Sequence, residues 1–322
     1  MNESIILVGC GNIGSRHLES LMKISSSLSI DVVEPNKNAV DKAKKILKEM
    51  KPFTKNRKIT WHESIKTIKE HKNIAIIATT SNFRQEIVKT LLKKGTKQMI
   101  IEKPVCQSKE EYQKIIESLK KQNCACWINT SRRYFESYKK IYQKLKSEDE
   151  IHITVIGGKI GLGSNLIHFL DLFVWFSQQK KISLNGEFLD EKLVVNKRGK
   201  NFTEFSGTII GKNKNSTISV TSSNIDHSKT IVEIFSKKIH VIIDEKNEEM
   251  HFISKNLIKS EKFVFEPVSN TTTKIIQDII NTNSCKLPKI DEQYFIHDET
   301  FKVFNKHLKK LGKRGGKKCP IT

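Results

Sequence analysis

Ile5-Ile6-Leu7-Val8-Gly9-Cys10-Gly11-Asn12-Ile13-Gly14 is an apolar run that enters a G-x-G-x-x-G turn, with a helix expected from the last glycine onward. Each glycine of such a turn has its own task. Gly9 makes the tight turn, Gly11 lets the backbone approach a pyrophosphate, and Gly14 lets the helix lie close to the strand. The backbone N–H groups around Gly11, Asn12, Ile13 and Gly14, with the positive end of the helix dipole, then attract the phosphates. A second run, Ile30-Asp31-Val32-Val33, ends in Glu34, where an acid about 20 residues past the turn accepts hydrogen bonds from a ribose diol. Strand, glycine turn, helix and acid together predict a bound dinucleotide. The Glu34 carboxylate repels a 2′-phosphate, so NAD is expected, while Asn36 and Lys37 nearby leave NADP open.

The chain has 322 residues and a formal charge of +22. That length suggests two domains, each with a buried core. No apolar run reaches the roughly 18 residues of a membrane span, and the start lacks the basic and apolar regions of a signal peptide. The expectation is a cytoplasmic protein without a membrane partner. The basic residues are overwhelmingly lysine, with seven arginines, and they are scattered over polar helix faces. Base reading favours arginine forks and single strands need aromatic platforms, neither of which the pattern offers, so no nucleic acid is expected. Cysteines 10, 106, 124, 126, 285 and 319 lack paired C-x-x-C spacing, which predicts reduced thiols and no metal site.

After the first strand and helix, apolar runs alternate with amphipathic stretches. Helices are expected at Ala39–Lys51, Phe83–Lys94 and Ser108–Lys121, and strands at Ile59–Trp61, Ile74–Ala78, Met99–Glu102 and Cys124–Asn129. This alternation predicts a doubly wound parallel α/β sheet, the Rossmann arrangement, over residues 1–125. From 126 to 322 the order changes. Helices at Glu136–Lys146 and Asn165–Ser177 flank a strand at Ile151–Ile156. Strand-like runs follow at Lys192–Asn196, Phe205–Ile210, Thr217–Thr221, Thr230–Phe235, Ile239–Asp244 and Phe263–Phe265. Short connections require antiparallel pairing, so an α+β domain with an open, largely antiparallel sheet is expected, helices on one face. Two helices, Thr273–Asn281 and Asp291–Leu311, precede a basic tail, Gly312–Lys318, read as a mobile end.

Ligands of doubly wound sheets lie beyond the carboxyl ends of the strands. The fourth strand ends in Ala78-Thr79-Thr80-Ser81-Asn82, suited to the nicotinamide ribose, and the fifth in Glu102-Lys103-Pro104. These segments, the glycine turn and a later helix bearing His168 and Asp171 resemble the glucose-fructose oxidoreductase, inositol dehydrogenase and MocA family. The resemblance implies NAD(P)-dependent hydride transfer at a carbinol carbon of a sugar, nucleotide sugar or cyclitol. It makes Lys103 and His168 the residues that handle the hydroxyl proton, and it suggests a cis bond before Pro104. Glu102 either orients Lys103 or ends the strand. Asp171, one turn beyond His168, would buttress it or cap a neighbour. Arg132 and Arg133 resemble an arginine that faces the family's substrate cleft, where a fork suits phosphate or carboxylate, although a plain interdomain salt bridge fits equally. Asn129 is a further substrate candidate.

Many members carry an aspartate four residues before the histidine, where this chain has Ser164 followed by Asn165. Either Asn165 positions the substrate or the proton relay uses Lys103 and His168 alone. Two other functions stay open: a redox-neutral NAD-dependent epimerase or glycosidase of this fold, and a dinucleotide-binding sensor without catalysis. The exposed face of the second sheet needs a cover, which predicts a homodimer or homotetramer.

Overall fold

The computed structural model of the chain describes residues 3–50, 57–69, 72–225, 229–313 and 316–322. Two compact units divide it. The first comprises Met1–Cys106, Glu110–Ser131 and Glu266–Asp291, the second Gln107–Lys109, Arg132–Phe265 and Glu292–Thr322. Lys51, at the end of one expected helix, and Arg314 and Gly315 of the tail lie outside the described residues.

In the first unit β1 (Glu3–Val8), β2 (Leu28–Val33), β3 (Arg57–His62), β4 (Ile74–Ile77), β5 (Gln98–Ile101) and β6 (Ala125–Ile128) form one sheet in the order β3-β2-β1-β4-β5-β6. Every pairing is parallel. The helices α1 (Asn12–Met22), α2 (Lys37–Glu49), α3 (Arg84–Lys93) and α4 (Lys109–Lys121) alternate with these strands. Ile74, Ala75, Ile76 and Ile77 of β4 are all buried, as a strand covered on both faces requires. The strand order reverses between β1 and β4, and the crevice of such a sheet opens there, outside the carboxyl ends.

The chain returns to this unit late. Helix α7, so numbered because two helices of the second unit precede it, spans Val268–Thr282 and packs on α1. Ser20 Oγ lies 2.7 Å from Thr273 Oγ1, and Lys23 Nζ donates to the Ser269 carbonyl at 2.9 Å. Residues 288–290 then extend the sheet edge: Ile128 N donates to Pro288 O and Ile290 N to Cys126 O, both at 3.0 Å. The sequence places this stretch with the second domain. An amphipathic pattern states that a helix is covered on one side and leaves open which element covers it.

The second unit holds an eight-stranded sheet. Its strands are β7 (Ile151–Gly158), β8 (Ser183–Leu189), β11 (Gly207–Asn213), β12 (Ser216–Ser223), β13 (Thr230–Ser236), β14 (His240–Asp244), β15 (Glu249–Ser254) and β16 (Leu257–Lys262). They lie in the order β16-β15-β14-β13-β7-β12-β11-β8, with β9 (Val194–Val195) and β10 (Thr203–Glu204) paired separately. All neighbours are antiparallel except β7 and β12, whose long connection allows parallel pairing. Helix α5 (Glu136–Leu145) packs on α6 (Leu162–Ser177), which lies against β7 and β12, while α8 (Tyr294–Lys310) lies against β8.

Three strands of the eight-stranded sheet, and the short β10, lie outside the sequence reading. β8 contains Asn185-Gly186, which reads as a turn, and β15 and β16 form a polar hairpin at the sheet edge. Phe263–Phe265, expected as a strand, is instead a connection whose Phe263 ring is buried against Phe135 and Tyr138. Nor is the chain end beyond Lys318 loose. Cys319, Ile321 and Thr322 are fully buried, Cys319 N donates to Gln107 O, and the Pro320 carbonyl accepts from Thr203 N, both at 2.6 Å.

Candidate active site

The glycine turn meets the geometric demands its sequence sets. Gly9 has φ +88, and a Cβ there would stand 2.8 Å from Thr79 N. A Cβ on Gly14 would stand 2.0 Å from the Gly9 carbonyl oxygen, so the close approach of helix to turn needs glycine. A Cβ on Gly11 would meet nothing within 4 Å. That open space is what a backbone waiting for a bulky ligand presents. Helix α1 has no side-chain cap and no acidic residue in its first turn, so no carboxylate of the helix neutralises its positive end. Turn and helix thus fit a pyrophosphate.

Glu34, half-buried at the end of β2, accepts from Cys10 N at 2.7 Å and from Asn36 N at 2.9 Å. The carboxylate is thereby fixed beside the turn, with lone pairs left for a ribose diol. Burial, then the charge of Glu34, pushes the Cys10 thiol up to about 12, so it stays a neutral packing group.

At the next strand end Ala78 N donates to Val8 O at 2.8 Å, which ties that segment to β1. Thr80 Oγ1 donates to Asn82 Oδ1 at 2.8 Å. Beyond β5, Glu102 and Lys103 are both buried, and the Lys103–Pro104 bond is cis. Glu102 Oε1 faces His17 Nε2 at 3.1 Å and also accepts from Asn129 Nδ2, while His17 Nδ1 lies 2.8 Å from Thr272 Oγ1 of α7. Burial alone would raise the Glu102 carboxyl. The hydrogen bond and charge of His17, then Lys103 and Asn129, outweigh it and hold the group at about 2. Glu102 is therefore an anion, and the hydrogen between it and His17 sits on Nε2. Asn129, expected at the substrate, is engaged in holding Glu102.

In the second unit α6 carries the remaining candidates. Asp171 is fully buried and takes the Arg133 fork, with Nε at 3.1 Å and Nη2 at 2.6 Å, while Gln293 Nε2 donates to it at 2.6 Å. Arg133 thus forms a salt bridge, but within this unit and not between domains as expected. Arg132 is held likewise by Glu245, at 2.8 and 2.7 Å, and Tyr138 Oη donates to the same carboxylate at 2.6 Å. Asn165 Nδ2 donates to Ile160 O at 2.6 Å, and His168 is half-buried. Ser164 Oγ donates to Glu204 Oε2 at 2.6 Å, and Gly163 N and Phe205 N also donate to Glu204. Burial pushes this carboxyl up, and those hydrogen bonds offset it only in part. A carboxyl group from β10 therefore stands beside Ser164.

His17, Arg84, Glu204, Glu245 and Gln293 have no place in the sequence reading. For Arg84 a signal existed: where lysine is the default, an arginine marks a place that needs a fork. Away from the glycine turn, the amino ends of the strands border a cavity of about 610 Å³ lined by Lys97, Asn123, Trp127 and Ile279 among others. Among the described residues no cluster of His, Cys, Asp or Glu suits a metal, and no helix is long and apolar enough to cross a membrane.

Residues 4–130 match the family described as an oxidoreductase family with an NAD-binding Rossmann fold, GFO_IDH_MocA. The N-terminal domain is thus similar to the Gfo/Idh/MocA oxidoreductases. Whole-chain similarity to solved structures agrees in fold. A dehydrogenase (MviM) from Clostridium difficile is 19% identical, with 95% of this chain and 100% of that one covered and a TM-score of 0.73. UDP-N-acetylglucosamine 3-dehydrogenase GnnA from Acidithiobacillus ferrooxidans is 12% identical, covering 94% and 97%, with a TM-score of 0.71. An oxidoreductase from Agrobacterium radiobacter, solved with NAD+, L-tartaric acid and magnesium, is 11% identical, covering 97% and 99%, with a TM-score of 0.72. No curated protein sequence matches. The cofactor of such an NAD-binding Rossmann domain is a nicotinamide dinucleotide, which when bound accepts or delivers hydride.

Proposed function

We propose that the chain is an NAD-dependent dehydrogenase or reductase acting on a secondary hydroxyl of a sugar, nucleotide sugar or cyclitol. The observation that carries this reading is the strand-end arrangement of the first unit. An open Gly11, an anchored Glu34 and a buried Lys103 beside an ionised Glu102 occupy the edge where a dinucleotide binds in such sheets. Buried Lys103 suits a group that holds the reacting hydroxyl and shares its proton during hydride transfer. His168 is assigned the second proton-handling role through the family resemblance. NAD is preferred over NADP because the fixed Glu34 carboxylate would repel a 2′-phosphate. The GnnA similarity puts UDP-linked amino sugars first among nucleotide sugars to be tried.

A thermal-shift screen of nucleotide sugars, free sugars and cyclitols with NAD+ or NADP+ tests the reading. A true ligand at 100 times its dissociation constant adds about 2.7 kcal/mol. Each hit is then assayed for NADH formation with wild type and Lys103→Met. Turnover unchanged by Lys103→Met would refute the assigned role. Ser164 favours a second reading, a dinucleotide-binding sensor, which predicts cofactor binding and no hydride transfer with any hit.

We also infer that the second unit self-associates through the open face of its sheet. Ile156, Phe188 and Phe235 of that face are more than half exposed, or half in the case of Ile156, at 50%, 61% and 51%. Light scattering should give a dimer or tetramer, and Phe235→Lys should weaken it. A monomer at micromolar concentration would refute this.

A further inference from the structure

Arg84 opens α3 and is 1% exposed. Its Nε donates to the Thr79 carbonyl at 3.2 Å, and Nη2 donates to the same oxygen. Its Nη1 donates to the carbonyls of Glu102 and Pro104, on either side of Lys103. One guanidinium therefore joins the segment after β4 to the segment after β5. Thr79 in turn abuts the glycine turn, since its backbone nitrogen fills the space a Cβ on Gly9 would need. A buried fork is costly to desolvate and is stable only where its hydrogens are met by well-placed acceptors. Here they meet main-chain oxygens of two strand ends, which no local pattern brings together.

We propose that Arg84 is a positioning residue for the nicotinamide half of the cofactor. By fixing Thr79 against Glu102 and Pro104 it shapes the surface on which the ring rests and sets the place of Lys103. The adenosine and pyrophosphate half depends instead on Glu34 and the glycine turn. This inference rests on the proposed seating of the dinucleotide along the strand ends.

The test needs no substrate. The full chain is titrated with NADH, followed by nicotinamide fluorescence, and with ADP-ribose, which lacks the ring, by calorimetry. Wild type, Arg84→Lys and Arg84→Met are compared, with melting curves for each. A positioning role predicts that Arg84→Met weakens NADH about tenfold or more and abolishes its fluorescence change, while ADP-ribose affinity stays within about twofold. Arg84→Lys, which reaches fewer carbonyls, should lie between. Should Arg84→Met not fold, the same contrast is read from Arg84→Lys against wild type. Equal weakening of both ligands, or no weakening of NADH, overturns the proposal. A wild type whose NADH affinity and fluorescence show no contribution from the ring would instead overturn the seating of the dinucleotide.

Discussion

Replacing Gly11 by alanine should separate cofactor affinity from stability. In the protein alone the added methyl group meets no atom within 4 Å, and Gly11 has φ −69, a conformation open to any L residue. Alanine narrows the unfolded ensemble by about 0.4–1 kcal/mol, and a comparable loss at the helix N-cap opposes it. The melting temperature should therefore change by no more than about 2 °C. With a dinucleotide present, the methyl group enters the space through which a phosphate oxygen approaches to about 2.9 Å of a backbone nitrogen. Displacing the phosphate by ~1 Å breaks at least one charge-assisted hydrogen bond, about 1.5–3 kcal/mol. That predicts an NADH dissociation constant raised about 10- to 150-fold. Fluorescence titration and calorimetric melting measure the two effects. Gly14→Ala serves as the contrast, because its Cβ would lie 2.0 Å from Gly9 O and must disturb fold and binding together. Unchanged NADH affinity in Gly11→Ala would show that no phosphate lies against this turn.

Glu34→Ala, which removes the acceptor now fixed by Cys10 N and Asn36 N, should weaken NAD+ much more than NADP+; equal losses in calorimetric titrations would contradict the NAD assignment. Glu102→Gln should remove an acid-dependent part of the stability. With its folded value held to about 2, below the ordinary 4.5, Glu102 stabilises the protein fully above about pH 5 and loses that effect as pH falls toward 2. Denaturant unfolding of wild type and Glu102→Gln should therefore converge over that range, and a difference independent of pH would show that His17 and Asn129 do not stabilise the ionised form. Native labelling with iodoacetamide at pH 8 should modify Cys285 first, since Cys10 and Cys124 are pushed up to about 12 by burial and Cys126 and Cys319 are raised as well; early mass-spectrometric labelling of Cys10 would argue that the turn opens.

Much of the first sheet was legible because its signals are local. A strand buried on both faces is a short continuous apolar run, and a glycine that must turn or approach is a glycine in the sequence. Glu34 was legible for the same reason, since its distance from the turn is set by one helix and one strand. The partners of Glu102 were not. His17 lies on α1, Asn129 beyond β6 and Thr272 on α7, and only the order of strands in space brings them together. The arginine pair shows a middle case. The sequence pointed to Arg132 and Arg133 as forks seeking an anion, and the anions turned out to be Glu245 and Asp171 of the same unit. Edge strands such as β16 were illegible because an exposed edge carries the lysines and glutamates of a solvated surface.

By itself the sequence determined the parallel sheet, the place of the dinucleotide turn and the acid beside it, because these depend on periodicity and on residues a few positions apart. Tertiary structure alone decided that α7 joins the first unit, that the last residues are buried, and that Glu102 is held ionised while Arg84 ties its carbonyl to Thr79. Those outcomes depend on burial and on partners far away in the chain, and the energies of buried charge and hydrogen bonding exist only once the chain has folded around them.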